Sequence, residues 1–112
     1  MKIAIPTNDD ILSAHFGHCK TFVLVDVDLK KKRVLNKVVL DAPKHEPGVL
    51  PRFLADQGVN VIIAGGMGNQ AICLFEENKI EVVLGAPEKS SDDIISDFLN
   101  GTLKTDKNLC DH

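Results

Sequence analysis

The order of strand-like and helix-like segments constrains the fold of this chain more than any other feature. An apolar strand over Lys2–Thr7 and two β-branched runs, Thr21–Asp28 and Val34–Asp41, come first. The charged connection between the two runs is short, which predicts an antiparallel hairpin. After Pro43, helical and strand periods alternate. We therefore predict the order β-β-β-α-β-α-β-α, in a mixed sheet with an antiparallel portion and right-handed parallel crossovers.

The later segments have recognisable start and stop signals, and a loop is predicted from Asn8 to Gly17. Their predicted bounds are a helix from Val49 to before Gly58, a strand over Val59–Ala64, a helix over Asn69–Asn78, a strand over Glu81–Leu84 and a helix from Ser90 to Gly101. Residues 1–103 would form one domain. Residues 104–112 lack a periodic pattern and are predicted to be a flexible tail.

Composition predicts a globular protein with an aliphatic core. Hydrophobic residues make up 44% and charged residues 26% of the chain, with no Trp and no Tyr. The net charge of −3 argues against a nucleic-acid partner held by phosphate contacts. The only basic cluster, Lys30–Arg33, lies between two strand-like runs, where a solvated turn is favoured over an anion or nucleic-acid patch.

The chain start and the cysteines indicate a cytoplasmic protein. Met1 and Lys2 lead directly into a strand-like run without the features of a signal peptide. No apolar run is long enough to cross a bilayer, so no membrane partner is expected. The three cysteines, Cys19, Cys73 and Cys110, are odd in number and far apart, which favours reduced thiols.

Two loops are candidates for one shared site. Ligands of open α/β sheets bind beyond the carboxyl ends of the parallel strands. If the first and fourth strands are neighbours, the loop after Asn8 and the loop after Ala64 open on the same edge. The first loop carries His15, His18 and Cys19, residue types that bind iron, zinc and iron–sulfur clusters. An ordinary loop with Cys19 turned into the core is the alternative, because no second ligand pair such as CxxC is present.

The second loop is the glycine turn Gly65–Gly68, which opens a helix at Asn69. Glycines let backbone N–H groups approach an anionic ligand at the positive end of a helix. The sequence is neither GxGxxG nor a P-loop, and a tight turn without a ligand fits equally well. Met67 would be either core filler or a soft thioether exposed in the site.

A third group of candidate metal ligands lies outside these loops. His45 precedes the first helix, and Cys110 and His112 form a Cys-x-His pair that either closes over a metal or belongs to a free terminus. No catalytic residue is predicted, because carboxylates such as Asp9 and Asp10 have no evident partner for acid–base chemistry. A Mg²⁺-dependent phosphate-transfer or nuclease enzyme would need clustered acidic side chains. The ends of the first and fourth strands offer amide and glycine instead, which argues against this class of enzyme.

Four segments taken together resemble the dinitrogenase iron–molybdenum cofactor biosynthesis family over about residues 1–103. They are MKIAIPTNDD, SAHFGHCKTFVLVDVD, GVLPRFLADQGVNVIIAGGMG and the EVVLGA before the last helix. The resemblance implies a ribonuclease H-like, three-layer α/β fold with helices on both faces. Its five-stranded mixed sheet would have the order 3-2-1-4-5, with strand 2 antiparallel.

The resemblance also implies a non-catalytic protein that binds, stores or delivers an iron–sulfur or iron–molybdenum-type cluster or its precursor. Its partners would be the proteins that donate and accept the cluster. The protein would then be without a cluster when it is purified in air. The implied ligands are His15 first, then Cys19 and His18, with Gly65, Gly66 and Gly68 as a backbone cradle. The His/Gly-rich stretch of relatives is reduced here to KHEPG, where only His45 maps, and the terminal Cys-x-His resembles that of stand-alone members.

Two alternatives stay open. A regulatory module that binds a small anion or nucleotide at Gly65–Gly68 is a different function for the same loop. A free edge strand is compatible with a monomer or a weak homodimer.

Overall fold

The computed structural model describes residues 1–13, 19–42, 49–103 and 105. Within these ranges six strands and three helices follow one another along the chain. They are β1 (Lys2–Asn8), β2 (Ile11–Leu12), β3 (Thr21–Asp28), β4 (Arg33–Asp41), α1 (Val49–Asp56), β5 (Val61–Ile63), α2 (Asn69–Glu77), β6 (Glu81–Val83) and α3 (Ser91–Asn100).

The sheet is mixed, and its path runs β4-β3-β1-β5-β6. Strand β3 is antiparallel to both β1 and β4, whereas β5 is parallel to β1 and to β6. The predicted hairpin and parallel crossovers are therefore confirmed, and the five main strands follow the expected order. The expected five-stranded sheet needs one correction, because β2 pairs with β1 as a sixth strand off this path.

The additional strand arises from a two-residue hairpin turn after β1. Asp9 and Asp10 both have positive φ, 53° and 67°, and Asn8 pairs with Ile11 across them. Two positive φ values at the centre of a two-residue loop define a type I′ turn, whose twist suits an antiparallel hairpin. The prediction of an uninterrupted loop after Asn8 was wrong here, although aspartate tolerates this conformation better than most residues.

Alternating side chains of the central strands build two separate apolar clusters on opposite faces of the sheet. Ala4, Phe22 and Ile62 belong to the first cluster, together with residues of α1 and α2 such as Leu54 and Phe75. The second cluster contains Ile3, Val25, Ile63, Ile94 and Ile95, and the last two lie on α3. The period of two in each strand thus places α1 and α2 on one face and α3 on the other.

Local signals account for the bounds of the last helix. The Ser90 side chain accepts a hydrogen bond from the Asp93 N–H at 3.2 Å, and Gly101 ends α3 with a φ of 71°. Both residues have the capping roles that the sequence predicted. The strand predicted over Val59–Ala64 is shorter, covering Val61–Ile63. In the described ranges no helix is long and apolar enough to cross a membrane.

Candidate functional site

The first loop and the glycine turn leave the sheet at the same edge. Strands β1 and β5 are parallel neighbours, with Ile3 paired to Val61 and Ala4 to Ile62. Their carboxyl ends therefore point in the same direction, and the predicted adjacency of these strands is confirmed. This edge, where the segments after β1 and β5 emerge, is called the rim below.

Backbone hydrogen bonds hold both ends of the histidine-containing segment against β1. The Ser13 N–H donates to the Pro6 carbonyl at 2.9 Å, where the chain leaves β2. On the return side, the Lys20 N–H donates to the Thr7 carbonyl at 3.2 Å and to Asn8 Oδ1 at 2.9 Å. His15 and His18 lie between these anchors and outside the described residues. Their flanks are thus fixed at the end of β1.

Cys19 lies inside the first apolar cluster, with only 4% of its surface exposed. Burial raises the pKa of its thiol to about 11, although a backbone hydrogen bond offsets part of this rise. Metals bind the thiolate, so a ligand role for Cys19 requires the metal to displace a firmly held proton. The alternative in which Cys19 turns into the core describes its position in this structure.

The glycine turn is joined to the segment that follows β6. The Gly65 carbonyl accepts a hydrogen bond from the Gly85 N–H at 2.9 Å, and the Ala64 carbonyl accepts one from the Ala86 N–H at 3.2 Å. Gly85 has a φ of 79°, a conformation that favours glycine. No role was predicted for Gly85. The sequence signal for one was the glycine of LGA at the end of the EVVLGA segment.

Within the turn, the side chain of Met67 is buried in the first cluster rather than exposed at the rim. Gly65 and Gly66 are also buried, whereas Gly68 and Asn69 are exposed. Within the glycine turn, the exposed residues therefore begin at Gly68, next to the start of α2.

The N-terminus of α2 is the part of the rim best suited to an anion. Gly68 is its N-cap and has no side chain that could accept a hydrogen bond from the first turn, and that turn contains no acidic residue. The first N–H groups of a helix lack intrahelical partners and carry partial positive charge. With φ at −69° and nothing within 4 Å of a Cβ built there, neither conformation nor crowding requires glycine at position 68.

Asp10, in the turn after β1, is engaged in structural contacts. Asp10 accepts a hydrogen bond from Ser91 Oγ at 2.5 Å and lies 3.6 Å from Lys37 Nζ, which also contacts Asp92 at 3.1 Å. Burial alone would lower the pKa of Lys37, but the hydrogen bonds and charges of Asp92 and Asp10 outweigh it and raise that pKa. These contacts tie the β1–β2 turn to the start of α3.

No three His, Cys, Asp or Glu side chains within the described ranges are grouped so as to hold a metal ion. The remaining candidates, His45, Cys110 and His112, lie outside those ranges. Cys73 is exposed on α2.

A family model, one sequence relative and two solved structures are similar to this chain. The family model described as dinitrogenase iron–molybdenum cofactor matches residues 1–101. An uncharacterised protein of Methanocaldococcus jannaschii is 32% identical over 107 residues, which span 93% of this chain and 90% of that protein. The crystal structure of a protein designated PH0822 has a TM-score of 0.87 at 38% identity over 95% of each chain. The crystal structure of a proposed dinitrogenase from M. jannaschii has a TM-score of 0.76 at 27% identity over 96% of each chain.

Proposed function

This chain belongs to the dinitrogenase iron–molybdenum cofactor family, and from that premise we propose that it binds, stores or delivers an iron–sulfur or iron–molybdenum-type cluster or a precursor of one. The observation that carries the proposal is the rim, where the anchored ends of the histidine segment and the uncapped N-terminus of α2 share one edge. The cluster would be cargo, and the role of the protein would be non-catalytic.

The chemistry of the rim supports an anionic cargo. Cluster sulfides and thiolate-rich precursors carry negative charge, and the first turn of α2 offers N–H donors at a positive helix end. Nothing in the described chain lies within 4 Å of a Cβ at position 68, so the protein does not obstruct the approach to those donors there. Gly68 and Asn69 would therefore supply backbone contacts, with Gly65 and Gly66 shaping the turn behind them.

Among the proposed metal ligands, His15 ranks first and Cys19 and His18 follow. An imidazole is largely neutral at pH 7 and binds iron without first losing a proton. Cys19 is different, because its thiol is protonated and buried in the free protein. We therefore expect the substitution of His15 to reduce cluster binding more than that of Cys19.

Anaerobic reconstitution tests this proposal directly. The full chain would be incubated with ferrous iron and sulfide, and bound iron, bound sulfide and the visible spectrum would be measured after desalting. We expect wild-type protein to retain a cluster and His15→Ala to lose it. Cys73→Ala is the thiol control, since Cys73 is exposed on the second turn of α2. Equal loading of wild type, His15→Ala and a His15→Ala/Cys19→Ala double variant would contradict the proposed ligand set.

A second candidate function rests on the same uncapped helix end. A small anion or nucleotide could bind at Gly65–Gly68 without any metal, which would make the protein a regulatory module. A thermal-shift panel of phosphate, nucleotides and sulfide-containing iron solutions separates the two functions. A rise in melting temperature with nucleotide alone favours the module, whereas a rise that needs iron and sulfide favours the cluster.

Three finer parts of the proposal follow from family membership. The partners would be proteins that donate and accept the cluster, in the cytoplasm. The fold would be a ribonuclease H-like, three-layer arrangement, which the strand order and the two opposite helix layers support. Superposition on solved ribonuclease H-like proteins would test that assignment.

A further inference from the structure

Strand β4 is a long edge strand whose apolar side chains are exposed. It has nine residues, and Val34, Leu35, Val38 and Val39 are between 42% and 58% exposed. We propose that β4 pairs in antiparallel orientation with β4 of a second copy of this chain, which joins two sheets across a two-fold axis. This inference does not depend on the proposed function.

The other end of the sheet shows how an edge is usually protected. Strand β6 is only three residues long and carries Glu81. Short length and charge both discourage pairing with another chain. Single exposed apolar residues need no explanation, but four on one strand, in two pairs on either side of Asn36 and Lys37, form an apolar edge that proteins ordinarily cover. Strand β4 is the longer and more apolar of the two edges, although Lys37 and a register shift between Asn36 and Val34 interrupt it.

The sequence of β4 is complementary to itself in one antiparallel register. Paired residues must lie on the same face of the sheet, so the two-fold axis passes at the level of a residue and not between two residues. With the axis at Lys37, Asn36 of each copy lies opposite Val38 of the other. Leu35, which a register shift between Asn36 and Val34 leaves without a paired residue on β3, lies opposite Val39. The most exposed apolar side chains of the strand are thereby paired with one another.

The charge distribution selects the antiparallel orientation. The basic turn Lys30–Arg33 lies at one end of β4, and Asp41 ends the other. A parallel arrangement would place two basic turns side by side, whereas the antiparallel one brings Arg33 near Asp41 of the second copy. The two Lys37 side chains meet at the axis, but each already has carboxylate partners, Asp10 and Asp92, in its own copy.

Sedimentation velocity over a concentration series tests the pairing. We expect wild-type protein to form dimers reversibly and Val39→Lys to weaken them roughly tenfold, because two apolar cross-strand pairs per dimer are lost. Leu29→Lys is the matched control, since Leu29 is 49% exposed but lies in the turn outside β4. Both substitutions are at exposed sites, and unchanged circular dichroism would verify that the variants fold.

A charge exchange tests the orientation separately. Arg33→Asp should weaken the dimer, because it places a carboxylate near Asp41 of the second copy. Adding Asp41→Arg should restore association. Position 33 is paired with Asp28 on β3, so the two variants share the same change within each copy and differ only at position 41. A wild-type protein that stays monomeric up to about 1 mM, a dimer that Val39→Lys leaves unchanged, or a double variant without rescue would overturn the proposal.

Discussion

Replacing Gly68 with aspartate should change the stability of the free protein and its affinity for an anionic cluster in opposite directions. The backbone at this N-cap is extended and a new Cβ meets nothing within 4 Å, so an aspartate fits without strain. Its carboxylate would accept hydrogen bonds from first-turn N–H groups and interact favourably with the positive end of the helix. Together these effects should raise the free energy of unfolding by about 1 kcal/mol. For a chain of this size, the melting temperature should rise by roughly 3 to 6 °C.

The same carboxylate would repel a bound anion. At a separation of about 5 Å and an effective dielectric constant between about 80 and 20, two unit charges repel by roughly 1 to 3 kcal/mol. Cluster affinity should therefore fall roughly 5- to 150-fold. The aspartate also occupies the N–H donors that the cluster would use, which adds to the loss.

Anaerobic titration with iron and sulfide, followed spectroscopically, measures the affinity, and urea unfolding of the free protein measures the stability. Gly68→Ser is the matched control, because serine caps the helix without a charge. The serine variant should keep more affinity than the aspartate variant at similar stability. Undiminished loading of Gly68→Asp would refute a cluster site at α2, and a destabilised free protein would refute the strain-free geometry at position 68.

Three further predictions concern the rest of the chain. The free energy of unfolding should fall by about 2 kcal/mol between pH 9 and 11, because the Cys19 thiol ionises at a lower pH in the unfolded chain than in the folded chain. Urea unfolding of Cys19→Ala over the same pH range should lack this decrease. Ser91→Ala should cost about 1 kcal/mol through the lost hydrogen bond to Asp10, whereas Ser96→Ala, at an exposed position of α3, should leave urea unfolding unchanged. Because His15, Cys19 and His18 are the proposed ligands, removal of residues 104–112 should leave iron loading unchanged, and reduced loading would make the tail a source of ligands.

The sequence predicted the parts of the fold that repeat a period over many residues. The hairpin of β3 and β4 and the alternation of helices and strands after Pro43 follow from runs long enough to show period two or 3.6. Strand β2 has two residues and therefore no period. Only the turn residues Asp9 and Asp10 could have indicated it.

The segments that form the site could be predicted from the sequence, but the burial and the long-range contacts of their residues could not. Adjacent parallel strands brought the first loop and the glycine turn to one rim, as expected from their positions after β1 and β5. Cys19 is buried in a cluster built from several strands and from α1 and α2, and the contact of Asp10 with Ser91 joins residues 81 positions apart. Such distant contacts leave no local pattern in a sequence.

The two residues that flank the histidine segment belong to different apolar clusters. Leu12, just before it, packs beneath α3, whereas Cys19, just after it, packs beneath α1 and α2. A ligand bound by His15 would therefore restrain a segment that connects the layer of α1 and α2 with the layer of α3. Loading should then slow amide hydrogen exchange in α3 as well as in α2, even though only α2 would touch the cargo.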